Sequence, residues 1–117
     1  MPTVPFFTNL APETAALLTQ YAPADFAVTV YPASMSDSEK LPIVAAADFL
    51  ILFPGYLREP VLRAAHNVKL IQLVSVGFDR MDLKLCRELG IPVANNGGTN
   101  ALDVTEHTVA LILAFYR

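Results

Sequence analysis

Short apolar runs of strand length alternate in this chain with stretches of helical spacing, and that alternation restricts the fold more than any other feature. The runs are Val4–Thr8, Ala27–Tyr31, Phe49–Phe53, Leu70–Val76 and Ile91–Ala94. Runs this short, continuous and separated by helical patterns suit strands buried on both faces, which is how parallel sheets are built. The expectation is an α/β fold: a parallel five-stranded sheet with helices on both faces.

The intervening segments supply the helices. Pro12–Tyr21 places Ala16, Leu17 and Leu18 near Tyr21 at helical spacing, and Glu59–His66 does the same with Val61, Leu62 and Ala65. Both faces are expected to cover the sheet. Ala33–Pro42, rich in Ser, Asp and Pro, reads as a loop that runs into a short helix over Leu41–Ala47. The next helix is better punctuated: Asp82 can cap its start, Leu85, Cys86 and Leu89 form one face, and Gly90 suits a left-handed exit.

A last helix is expected from Asp103, with Glu106 reaching back in a capping box. Beyond that cap, Val109–Phe115 is apolar on every side, whereas a terminal surface helix keeps a polar face. Two explanations stand: burial within this small sheet sandwich, or contact with further chain or a second subunit.

Length and composition bound the rest. At 117 residues, 54% of them hydrophobic, the chain is about one domain long and has material for an ordinary core. Eight Lys and Arg against 11 Asp and Glu give a net charge of -3, without the basic stripe that nucleic-acid binding requires. The longest apolar run, Val109–Tyr116, falls far short of the roughly 20 residues of a membrane helix. A single cysteine, Cys86, and a start without a signal-peptide pattern point to the cytoplasm.

In an open parallel sheet, ligands gather beyond the carboxyl ends of the strands, where loops and helix starts leave N–H groups unpaired. Three loops there carry suitable residues: Phe53–Tyr56, Ser75–Asp79 and Asn95–Asn100. Gly77 lets a ligand approach the backbone and meet N–H donors from Val76 to Phe78, an arrangement suited to a carboxylate. Equally, Gly77 could serve only to turn strand into helix. Asn100 could orient a carbonyl or carboxylate, or be an ordinary loop residue.

His107, one turn into the last helix, suits a neutral imidazole, yet a packing role is the plainer reading. Cys86 reads as core and His66 as surface. Two His and one Cys, widely separated, offer no metal-ligand spacing. Glycine occurs only at Gly55, Gly77, Gly90, Gly97 and Gly98, so neither a G-x-G-x-x-G nor a Walker loop can be written.

Three segments in order, Lys69–Asp82 (KLIQLVSVGFDRMD), Gly90–Asn95 (GIPVAN) and Asn100–His107 (NALDVTEH), resemble the D-isomer-specific 2-hydroxyacid dehydrogenase family. The N-terminal region also fits that family's flavodoxin-like substrate-binding domain, and Phe53–Leu57 is similar to the corresponding loop of formate dehydrogenases. The resemblance implies hydride transfer between NAD(H) or NADP(H) and a small 2-keto or 2-hydroxy acid, in a cleft between two domains.

By motif position, backbone groups of Val76 and Gly77 would hold the substrate carboxylate, Asn100 would be a nearby polar contact, and Val76 with Val104 would border the nicotinamide. Residues 1–102 would form the substrate-binding domain. Residues 103–117 would be the helix that leads to a missing nucleotide-binding domain, where the glycine-rich motif and the catalytic Arg, Glu and His belong. The expectation is a fragment of a homodimeric parent, inactive alone and binding no NAD or NADP tightly.

The rival expectation is a stand-alone flavodoxin-like binding or oligomerisation module that uses its apolar last helix to recruit a partner. A phosphoacceptor receiver domain is disfavoured because Asn9 and Pro54 stand where it needs acidic residues. A flavin site is disfavoured because Thr8–Thr14 makes no convincing phosphate loop.

Overall fold

A computed structural model describes residues 1–98 and 101–116. Its elements alternate as the sequence requires: β1 (Thr3–Thr8), α1 (Pro12–Thr19), β2 (Ala27–Pro32), α2 (Asp37–Ala45), β3 (Leu50–Phe53), α3 (Glu59–Arg63), β4 (Ile71–Leu73), α4 (Leu83–Leu89), β5 (Val93–Ala94) and α5 (Ala101–Phe115). The five strands form one sheet in the order β2-β1-β3-β4-β5, and every pairing is parallel. This is the doubly wound flavodoxin-like order, whose reversal point lies between β1 and β3.

Alternation along the strands sorts side chains into two layers. Leu50 and Leu52 of β3 and Ile71 and Leu73 of β4 are wholly buried, while Ile51 and Gln72 between them are half-buried. The buried set joins Phe7 and, from the helices, Val44, Val61, Leu62, Leu85 and Cys86 in one hydrophobic cluster. Helices α2, α3 and α4 therefore cover one face. Fully burying a side chain of this kind contributes about 1.5–3 kcal/mol, so this cluster carries most of the stability.

On the opposite face α1 lies over β1, and here the sequence expectation needs correction. Ala15 is the buried residue of α1; Ala16, Leu17, Leu18 and Tyr21 are exposed. The helix is short and its apolar residues extend nearly all round, so periodicity alone did not say which stripe faces inward.

A second correction concerns α2, which begins at Asp37 inside the segment read as a loop. Ser36 is its N-cap, and its hydroxyl accepts from the Glu39 N–H at 3.3 Å. Pro42 sits inside this helix and leaves one turn without its usual N–H bond. Several other elements are shorter than expected: β4 ends at Leu73 and not Val76, β5 holds only Val93 and Ala94, and α3 ends at Arg63. The α4 boundaries agree, with Asp82 Oδ1 accepting from Leu85 N–H at 3.0 Å and Gly90 left-handed at φ 72°.

Helix α5 starts two residues earlier than expected, so Asp103 lies in its first turn and is not its N-cap. Its carboxylate still favours the helix start through the dipole. Every side chain described from Leu102 to Tyr116 is exposed, Leu113 at 61% and Phe115 at 83%. Burial within the sandwich is thereby excluded for this helix. Among the described residues no helix is long and apolar enough to cross a membrane.

Candidate functional site at the carboxyl edge of the sheet

Because all five strands are parallel, the loops that follow them open on one edge. Several bonds tie these loops together. The Asn9 N–H donates to the Phe53 carbonyl at 3.1 Å, joining the loops after β1 and β3. The Arg80 guanidinium lies 5.1 Å from the centre of the Tyr56 ring, joining the loops after β3 and β4. Gly55 is fixed by packing, since a Cβ there would come within 3.1 Å of Leu73 Cδ2.

The loop after β4 has an unusual division of polar groups. Its carbonyls are occupied: Ser75 O accepts from Asn96 N–H at 2.9 Å, Val76 O from Asn95 Nδ2 at 2.7 Å, and Gly77 O from the Ser75 hydroxyl at 2.8 Å. The N–H groups of Val76, Gly77 and Phe78 have no acceptor among the described residues. The loop thus has its acceptors tied and its donors without protein partners among the described residues. Such a surface attracts an anion by hydrogen bonding and by the partial positive charge of the amides.

Gly77 itself is exposed, has no positive φ, and would meet nothing within 4 Å if a Cβ were added. Neither the turn nor the packing demands a glycine there. The backbone at Gly77 is therefore open to close approach.

Of the other residues singled out, Val76 is half-buried beside Gly77, and Val104 is 55% exposed on α5. Asn100 lies outside the described residues. His66 and His107 are exposed. Cys86 is buried in the core, where loss of water and then the nearby Asp82 carboxylate push its thiol pKa up. It is packing, as its apolar setting suggested. Among the described residues no group of three His, Cys, Asp or Glu could hold a metal ion.

Asn95 escaped the sequence reading, which took it as one member of a loop. Its role depends on β5 lying beside β4, and a partner 19 residues away leaves no local signal. Arg80 and Tyr56 were missed for the same reason.

A dinucleotide fits this chain poorly. In doubly wound folds the pyrophosphate rests on a glycine-rich first turn and the helix start behind it. Here that turn is Asn9-Leu10-Ala11-Pro12, without glycine, and Pro12 removes one donor from the first turn of α1.

Residues 4–115 match the family model described as D-isomer specific 2-hydroxyacid dehydrogenase, catalytic domain. The chain is 40% identical over 57 residues to D-3-phosphoglycerate dehydrogenase of Archaeoglobus fulgidus, covering 49% of this chain and 11% of that protein. It is 37% identical over 65 residues to formate dehydrogenase 1 of Saccharomyces cerevisiae, covering 56% of this chain and 17% of that protein. Its fold superposes on D-lactate dehydrogenase from Aquifex aeolicus, solved with NAD and lactic acid, with a TM-score of 0.72 and 28% identity. That superposition covers 93% of this chain and 32% of the other. The aligned part is thus a small fraction of each relative's length.

Proposed function

The chain belongs to the D-isomer-specific 2-hydroxyacid dehydrogenase family, and on that premise we propose that it is the substrate-anchoring part of such an oxidoreductase. The backbone of Val76 and Gly77 holds the carboxylate of a small 2-keto or 2-hydroxy acid. Asn100 adds a polar contact, and Val76 with Val104 borders the nicotinamide of NAD or NADP. A nucleotide-binding domain reached through residues 103–117 carries the cofactor, which supplies or accepts the hydride. The 117-residue chain turns over no substrate by itself, and the complete enzyme is a homodimer.

The observation that supports this reading is the loop after β4, with its carbonyls occupied and three consecutive N–H groups without an acceptor among the described residues. A carboxylate bound there gains charge-assisted hydrogen bonds without displacing a partner among the described residues. Asn95 keeps the loop in this state by holding the Val76 carbonyl, so its role is positioning.

Amide NMR during titration with pyruvate or glyoxylate tests the proposal. The expected result is saturable shifts centred on Val76, Gly77 and Phe78, weakened in Asn95→Ala. Shifts elsewhere, or none at high concentration, would overturn the anchoring role. Genuine NADH oxidation by the isolated chain would contradict its inactivity.

A second reading, a stand-alone binding or oligomerisation module, draws on the exposed apolar α5. Light scattering after size exclusion separates the two: a well-folded monomer counts against α5 as a recruiting surface.

A further inference from the structure

The doubly wound sheet is covered unequally. Helices α2, α3 and α4 close the face that holds the hydrophobic cluster, whereas on the other face α1 buries only Ala15. A groove of about 750 Å³ remains there, running from Val4 and Leu70 near the amino ends of β1 and β4 to Val74 and Asn96 at the carboxyl edge. Phe26 and Phe49, with ring centres 6.0 Å apart, stand in its wall. Among the described residues no Asp, Glu, Lys or Arg lines it.

Helix α5 has the complementary form. Its 15 residues extend about 22 Å, and a six-residue strand such as β1 extends about 20 Å. One face of the helix reads Val104, Leu111, Ile112 and Phe115, and residues 108–116 carry no charged side chain. The acidic Asp103 and Glu106 fall in the first two turns. An apolar helix and an uncharged apolar trough of equal length gain by covering each other, since no charge has to leave water.

The helix does not lie in its own groove. The radius of gyration is 16.6 Å and the longest extent 56 Å, against a radius of about 13 Å for a compact chain of this length. Every described side chain of α5 is exposed. A projecting helix and an open groove on the same chain are the two halves of a closed two-fold exchange, in which each copy fills the groove of the other.

The area suffices for a stable pair. Phe115 and Tyr116 are each more than 80% exposed, and rings of this kind bury about 150–250 Å² apiece, so the four in two copies supply roughly 500–800 Å². The aliphatic residues of α5 and the groove walls bring the total into the range of about 1,200–2,000 Å² found in specific interfaces.

We propose that two copies of this chain associate by exchange of α5, each helix lying in the groove of the other copy past Phe49, Ile51 and Val74. This supplies the receiving surface for the oligomerisation reading and does not depend on the carboxylate site at Gly77. The contact is governed by concentration, so the groove is open in the dilute monomer.

Light scattering after size exclusion of the full chain, over a range of concentrations, is expected to show monomer passing to dimer. A mixture identifies the occupant: spin-labelled Glu106→Cys chain, whose native Cys86 is buried away from the reagent, is combined with isotope-labelled unmodified chain. Broadening of the Val28, Phe49 and Ile51 amides of the unmodified chain is expected. Phe115→Glu alters the helix and Leu18→Glu the groove wall, both at exposed positions. Each should weaken the dimer about tenfold or more. The pyruvate titration at Gly77 reads the carboxylate site separately and should be the same in both variants. A monomer at every concentration, a groove without broadening in the mixture, or a dimer indifferent to Leu18→Glu would overturn the proposal.

Discussion

On one face of the sheet, Phe7, Leu50, Leu52, Ile71 and Leu73 are closed over by α2, α3 and α4. On the other, Val4 and Phe6 are buried, but a groove of about 750 Å³ runs past the half-buried Val28, Phe49, Ile51 and Val74. The residue types are the same on both faces. In β3 the neighbours Leu52 and Ile51 differ in fate only because their side chains point opposite ways. Burial here is a property of what lies over a residue and not of its hydrophobicity. The groove and the exposed α5 are two apolar surfaces without a cover, and surfaces of that kind mark contact with other chain or another molecule.

The largest effect should come from substitutions that contrast the two faces. Leu52→Ala removes a wholly buried side chain and is expected to cost about 3 kcal/mol, from lost burial and the cavity left behind. Ile51→Ala, on the groove side, should cost less than half as much. Urea denaturation midpoints with unchanged slopes would measure both. Equal losses would break the comparison by showing that the groove is closed in solution.

Next in size is the exit of α4, one of the helices that closes the filled face. Gly90 sits at φ 72° with open space around its Cα, so Gly90→Ala meets no clash and isolates the backbone strain. A loss of about 1 kcal/mol is expected in thermal or urea unfolding. No loss would mean that the turn relaxes to another conformation and that α4 is less firmly ended than it looks.

A smaller contribution, with a definite pH signature, comes from the amino edge that both faces share. The Thr3 N–H donates to Asp48 Oδ2 at 2.8 Å, and this bond holds the Asp48 carboxyl below its ordinary pKa of 3.8. The Thr3 hydroxyl and the Lys69 charge act in the same direction, and desolvation opposes them. The unfolded chain binds this proton more readily than the folded one. The stabilisation is therefore present above about pH 4 and fades as the pH falls through the lower folded-state value. Asp48→Asn should flatten that part of the acid limb of a stability–pH curve, and an unchanged limb would remove Asp48 from the account.

The alternation of strands and helices was legible because runs such as Leu50–Phe53 lie between helical patterns, and a parallel sheet follows from that order. Local chemistry was legible where one residue type has one geometric use, as with Asp82 and Gly90 around α4. Helix α2 was misread because Ser, Asp and Pro signal loops, although Ser36 followed three residues later by Glu39 is also the mark of a helix start. At the candidate site, Gly77 was visible and Asn95 was not. Gly77 announces itself by lacking a side chain, whereas Asn95 matters only through a carbonyl on the neighbouring strand's loop.

The smallest effect on stability carries the most information about function. Gly77→Ala adds a methyl group where nothing lies within 4 Å and where the backbone already has a conformation open to alanine. Folding stability should stay within about 0.5 kcal/mol of the original, with a slight gain from the stiffer unfolded chain. On the proposed carboxylate site, the same methyl group would crowd an anion approaching the backbone, so affinity for pyruvate should drop severalfold. Gly55→Ala is the opposite control: its Cβ meets Leu73 at 3.1 Å on the filled face, so it should lose stability while leaving the loop's donors in place. Measuring unfolding and pyruvate binding for both variants separates a glycine kept for packing from one kept for a ligand. A Gly77→Ala protein that binds pyruvate as well as the original would return Gly77 to the role of an ordinary loop residue and withdraw the carboxylate site.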